Sequence, residues 1–189
     1  MQSLFIYRWF MYRAVFEIDG YSFHGTLDMH VLKMAQMELE ECGKELKVHE
    51  ILKGIAEFDM HCISALLLQS VIRCGEITEK EFLSIYIRDR NEDEIERNFV
   101  NITEYFSKLM KRCMPKSDTD SEEDEFEDVP EFREEEKVDW DFPYMEFLWS
   151  SKLNKNNFWE VTPKNNFEQI NIYRKLNGEQ EETEDVEYL

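Results

Sequence analysis

The sequence predicts a mainly α-helical protein with a small β component, an α+β chain in which one hairpin precedes a bundle of helices. Three observations carry that prediction. Asp19-Gly20 stands between two alternating apolar runs, a strong hairpin signal, because a type I′ turn needs positive φ at both central residues. From Leu27 to Leu109 the apolar residues recur at helical spacing. Charge then changes abruptly. Asp118 to Asp139 holds 13 acids against Arg133 and Lys137, and the last eleven residues hold six acids and no base. These stretches carry −17 of the formal −20, which leaves the rest of the chain near neutral at −3.

Residues 1–13 form an apolar, aromatic leader containing Arg8 and Arg13, read as an extra strand or an unstructured lead. It lacks the basic start, longer apolar run and small-residue cleavage site of a signal peptide, and it is too short to span a bilayer. A first domain follows over residues 14–115, with strands Ala14–Ile18 and Tyr21–Gly25. Leu27, Val31, Leu32, Met34, Ala35 and Leu39 then share one helical face, with Asp28 as cap and Gly43 at the left-handed end. A short helix from about Val48 to Phe58 carries Ile51, Leu52 and Ile55. Asp59 to Cys74 is the most apolar segment and reads as the central buried helix, stopped at Gly75. Thr78 and Glu81 fit a capping box that opens a helix to about Ile87. Asn91 caps a helix to about Lys111, with Ile95, Phe99, Ile102, Phe106 and Leu109 as its apolar side.

Residues 116–139 read as a self-repelling acidic linker, with a span of roughly 25–30 Å for a flexible chain of that length. Ser117, Thr119 and Ser121 among the acids resemble sites for an acid-directed kinase. Residues 140–177 read as an aromatic helical extension. Pro143 suits a first helical turn, Asn154–Asn157 a turn, and Thr162-Pro163 an N-cap followed by proline at the first helical position. Gly178 ends the last helix, and 178–189 reads as an acidic disordered tail. The extension holds three of the four tryptophans, Trp140, Trp149 and Trp159. So small a unit cannot bury them against itself, so it must dock on its own N-terminal domain or on another protein. Trp149, Phe158, Trp159, Thr162, Pro163 and Phe167 are the candidate partner-binding residues, the rings as anchors and Thr162-Pro163 as the start of the last helix.

The residue patterns of enzymes are missing. The four histidines, His24, His30, His49 and His61, show no metal-binding spacing, and there is neither a glycine-rich phosphate loop nor a Gly-x-Ser-x-Gly elbow. The acids cluster where no core can desolvate them, so raised carboxyl pKa values are not expected there. Cys42, Cys62, Cys74 and Cys113 stand singly and read as reduced thiols in a cytoplasm. Met29, Met34, Met37 and Met60 read as core filling, with an adaptable partner-binding face as the alternative. No cofactor, metal or membrane is implied, and net acidity disfavours nucleic acid while favouring partners with basic patches.

Two parts of the chain resemble one family. Asn157-Phe-Trp-Glu-Val-Thr-Pro-Lys, followed by an apolar helix, resembles the FW-x-x-TP element of tail assembly chaperones of long-tailed (siphovirus-type) bacteriophages and prophages. Trp140-Asp-Phe-Pro-Tyr-Met-Glu-Phe-Leu-Trp is similar to the segment that leads into it. Ala14-Val-Phe-Glu-Ile-Asp-Gly through Gly43-Lys-Glu-Leu to about Met114 is similar to the family's small domain of hairpin and helices. The resemblance implies an extended form of the chaperone, of the kind commonly made by ribosomal frameshifting. Its first domain would coat the tape-measure protein and its extension would recruit tail tube subunits in the host cytoplasm. It would leave before the virion is finished. Self-association is left open, and the leader departs from the family pattern. The chief rival reading is an acidic decoy, a nucleic-acid mimic that inhibits a host factor, which needs the acids displayed in order on a rigid surface. A structural virion component is the third.

Overall fold

A computed structural model describes residues 12–115 and 139–178. The leader before Tyr12, the acid run from 116 to 138 and the tail from 179 lie outside the described residues, so the expectations placed on them stand as expectations.

Strands β1 (Arg13–Ile18) and β2 (Tyr21–Thr26) pair antiparallel, with Phe16 opposite Phe23 and Ile18 opposite Tyr21. The turn takes positive φ at Asp19 (49°) and Gly20 (81°), as the Asp-Gly signal requires. Ala14, Phe16, Ile18 and Phe23 face the core, so the alternation sets one buried and one open face.

Five helices complete the body: α1 (Met29–Glu41), α2 (Val48–Ala56), α3 (Met60–Ile72), α4 (Glu79–Tyr86) and α5 (Glu92–Cys113). Their starts follow the local chemistry of the sequence. Asp28 accepts from the Val31 amide and Asp59 from the His61 amide, while Thr78/Glu81 and Asn91/Glu94 form reciprocal capping boxes. Helix α3 is the hub. Leu66, Leu67 and Val71 are fully buried, α1 and α2 pack on it, and Gly54 of α2 lies so close that an added Cβ would sit 2.6 Å from the Cys62 sulfur.

Helix α5 lies across the hairpin, antiparallel to β1. Its Arg112 donates to the Arg13 carbonyl near one end, and Asn101 donates to the Glu17 carbonyl towards the other. Tyr105, wholly buried on α5, sets its ring 5.5 Å from that of Phe16 and shares a 2.7 Å hydrogen bond with Ser70 of α3. Gly25 makes room for it, since a Cβ there would fall 1.7 Å from the tyrosine oxygen.

The extension contributes α6 (Phe142–Ser151), a 3-10 turn (Phe158–Glu160) and α7 (Pro163–Leu176). The protein is therefore mainly α with one hairpin, as expected. The extension lies on the body, with the 3-10 turn against α1 and α7 against α5. Of the two docking partners open to it in the sequence, its own N-terminal domain takes its buried rings.

Two local expectations are corrected. Phe58 does not end α2. It occupies the left-handed position just beyond it, at φ 60°, with its amide bonded to the Ile55 carbonyl and the Asp59 amide bonded to the Gly54 carbonyl. Ile95 and Phe99, expected on the core side of α5, are 56% and 40% exposed, whereas Asn98 in the same turns is buried and donates to Asp19, so the hairpin covers the Asn98 side of the helix there and leaves the Ile95 and Phe99 side open.

Candidate interaction surfaces

Three polar contacts fasten the extension. The Met29 amide, an open donor at the start of α1, donates to the Val161 carbonyl at 3.0 Å. Arg73 joins Asp28 (2.8 Å) to the Trp159 carbonyl (3.3 Å), so one guanidinium links the cap of α1, the end of α3 and the 3-10 turn. Asp139 accepts from the Val48 amide and from Gln36, each at 2.9 Å, and so supplies the open N-terminus of α2 with a carboxylate from outside the helix. Burial holds the Asp28 carboxyl above its ordinary range, and the Arg73 charge opposes that shift.

The six residues singled out in the sequence gather around this joint. Trp149 is buried, donates its indole N–H to Asn157 and has the Lys155 ammonium 4.7 Å from its ring centre. Phe158 is buried and meets Trp159 edge-on at 5.0 Å. Trp159 is half-buried, lies against Phe142 and donates to Glu146. Thr162 accepts from the Asn165 amide and Pro163 is the first residue of α7, both buried. Phe167 is half-buried, edge-on to Trp140 at 5.5 Å. These side chains hold the extension to itself and to the body. Trp149 and Phe158 are buried, so in this arrangement their rings anchor the extension rather than face outward.

The apolar groups that do face outward are others. Tyr144 and Phe147 share the open face of α6, and Ile172 and Leu176 stand four residues apart on α7. On the body, Phe58 and Phe99 touch with ring centres 5.1 Å apart, both largely exposed, with Ile95 one turn before Phe99 and Met60 two residues after Phe58. Of the methionines, Met29 is core, whereas Met37 and Met60 are exposed. Sequence periodicity missed these groups because it identifies a helix face and not what covers it.

A cleft of about 500 Å³ opens beside the hairpin turn, lined by Asp19, Gly20, Arg88, Arg90, Arg97 and Asn98 among others. Two of its charges, Arg90 and Asp19, are spent on structure. Arg90 pairs with Asp19 at 2.9 Å and donates to the carbonyls of Ile85, Tyr86 and Arg88, while Asn98 also holds Asp19. The hydrogen bond from Arg90 keeps the Asp19 carboxyl below its usual value. Burial pushes the thiols of Cys62 and Cys74 up to about 11 and that of Cys113 to about 12, so none is a thiolate at neutral pH. Among the described residues no group of three or more His, Cys, Asp or Glu could hold a metal ion, and no single helix is long and apolar enough to cross a membrane. The apolar pair α2–α3 is bent by 109° and buries most of its apolar side chains, Val48, Ile51, Leu52, Leu66 and Leu67 among them, within the body. No protein family, no curated protein and no solved structure matches the chain.

Proposed function

We propose that this chain is a non-enzymatic tail assembly chaperone of a long-tailed bacteriophage or prophage. It binds the tape-measure protein and brings tail tube subunits to it in the bacterial cytoplasm, and it is left out of the finished virion. The observation that carries the reading is the position of the residues behind the resemblance. Phe158, Trp159, Thr162 and Pro163 form the joint through which the extension meets the body, so the motif has a physical role in uniting two binding surfaces in one molecule. The body offers exposed aromatic groups to a helical client, and the extension offers Tyr144 and Phe147 to a second protein. Two partners held on one scaffold meet at a raised effective concentration, which is what a recruiting chaperone requires.

The test is co-expression of the full chain with the tape-measure and tube proteins encoded in the same genome, followed by affinity capture. Recovery of both with the chain, and its absence from purified particles by mass spectrometry, supports the proposal. Capture of neither protein, or retention of the chain in particles, overturns it.

A further inference from the structure

The surface around Phe58 combines three features that ordinary packing does not explain. First, Phe58 occupies a left-handed backbone position where the other described residues are glycine or a short Asx residue, at Gly20, Gly43, Gly75, Gly178, Asp19 and Asn154. A bulky side chain there is strained, and glycine would relieve it. Second, the strained ring is spent on the surface, 51% exposed, against Phe99, itself 40% exposed. Third, the flank is acidic. Glu92, Ile95, Glu96 and Phe99 follow one another at i, i+3, i+4 and i+7 and so share one side of α5. Glu92 and Glu96 are exposed and have no ion-pair partner among the described residues. Arg97 lies on the other side of the helix, in the cleft beside the hairpin turn.

We infer that Phe58, Ile95 and Phe99, edged by Glu92 and Glu96, form a docking face for an amphipathic helix that carries Lys or Arg beside its apolar stripe. The strip runs along about two turns of α5, and Phe58 walls its side, so the i, i+4 ridge of a second helix fits beside it. Charge selects among occupants. A second copy of this chain would set Glu92 and Glu96 against an equally acidic face, which like-charge repulsion opposes. Residues 1–11 of this chain bring one basic side chain, Arg8, and join the body at Tyr12, whose carbonyl lies 3.5 Å from the Cys113 sulfur. That is the far end of α5, roughly 20 Å from Phe99 at 1.5 Å per residue, and Arg8, four residues before Tyr12, stands at most about 14 Å of backbone from it, too short to reach Glu92 or Glu96. A basic helix from another protein meets neither obstacle. The inference rests on the chaperone reading only for the source of that helix, a stretch of the long helical client.

The experiment uses the full chain and a fluorescein-labelled synthetic 18-residue helix with a Leu stripe flanked by Lys, compared with the same peptide carrying Glu for Lys. The expected result is binding of the Lys peptide alone, weakened about tenfold or more by Phe58→Gly, by Phe99→Ser and by Glu92→Gln with Glu96→Gln. Phe58→Gly should at the same time leave the melting temperature unchanged or higher, which separates lost docking from lost folding. Peptide binding unaffected by Phe58→Gly overturns the inference. So does tighter peptide binding after deletion of residues 1–11, which would make the leader the occupant, or a dimer that Phe58→Gly converts to monomer in sedimentation. Tape-measure capture is measured in parallel. Capture by the wild type that persists in Phe58→Gly sinks this surface and leaves the chaperone reading standing. Peptide binding lost in Phe58→Gly, with no tape-measure capture by the wild type, supports this face and sinks the chaperone reading.

Discussion

Gly25 and Tyr105 make one contact on which the hairpin–helix packing depends. The Tyr105 hydroxyl occupies the space that any Cβ at position 25 would need, and it is tied there by Ser70. Gly25→Ala should destabilise the protein by about 1–3 kcal/mol in urea denaturation followed by circular dichroism. Combining it with Tyr105→Leu should cost less than the sum of the two single changes, because both act on one space. Asp59 offers a titration test. The hydrogen bond from Lys44, with that from the His61 amide, lowers its carboxyl to about 2. A carboxyl held below its unfolded value of about 3.9 contributes stability above that value and loses it as pH falls towards 2. Asp59→Asn should therefore flatten the fall of melting temperature between about pH 4 and pH 2 relative to wild type. An unchanged slope would remove the Lys44–Asp59 pair from the account. Both the cap at Asp59 and the turn at Asp19-Gly20 were legible in the sequence, because each depends on residues two or three positions away. The left-handed Phe58 was not, since nothing in local preference marks a phenylalanine for that conformation.

Among the elements, α6, the 3-10 turn and α7 form a latch on the body rather than a separate hook. The sequence showed that three tryptophans in so short a segment need an outside surface, but not which surface, because docking depends on groups far apart in the chain: Asp139 with Val48, Val161 with Met29, Arg73 with Trp159. The stripe on α5 was read as core over its whole length for a related reason. Helical spacing gives the direction of a side chain and not which side of each turn a neighbouring element covers. Trp149 is the largest fully buried side chain among the described residues, so Trp149→Ala should cost about 3–5 kcal/mol and loosen the latch. Amide hydrogen exchange should then rise across 142–176 and at Met29, whose donor loses its acceptor, while amides of α3 stay protected. Equal acceleration throughout would mean that body and extension open as one.

For the whole molecule, the latch makes the length of the chain a matter of stability as well as function. A product ending at Pro115 would leave α1 without the 3-10 turn that covers it and the start of α2 without the Asp139 carboxylate. Such a chain should melt about 10 °C or more below the full protein and bind an apolar dye that the full protein excludes. If a short product of that kind works alone in a phage, its client would have to take the place of the latch, and adding tape-measure protein should restore the lost melting temperature. A short chain as stable as the long one would show that the latch is dispensable.

The placement of the indoles also makes the chain its own optical gauge. Trp140, Trp149 and Trp159 all belong to the latch, and residues 12–115 contain no tryptophan. With Trp9 replaced by Phe, ultraviolet emission at the red edge of the absorption band would come from the latch alone, while far-ultraviolet ellipticity would come from every helix. Emission that shifts red at lower urea than the ellipticity falls would mark release of the latch before the body melts, and superimposed curves would mark a single cooperative unit.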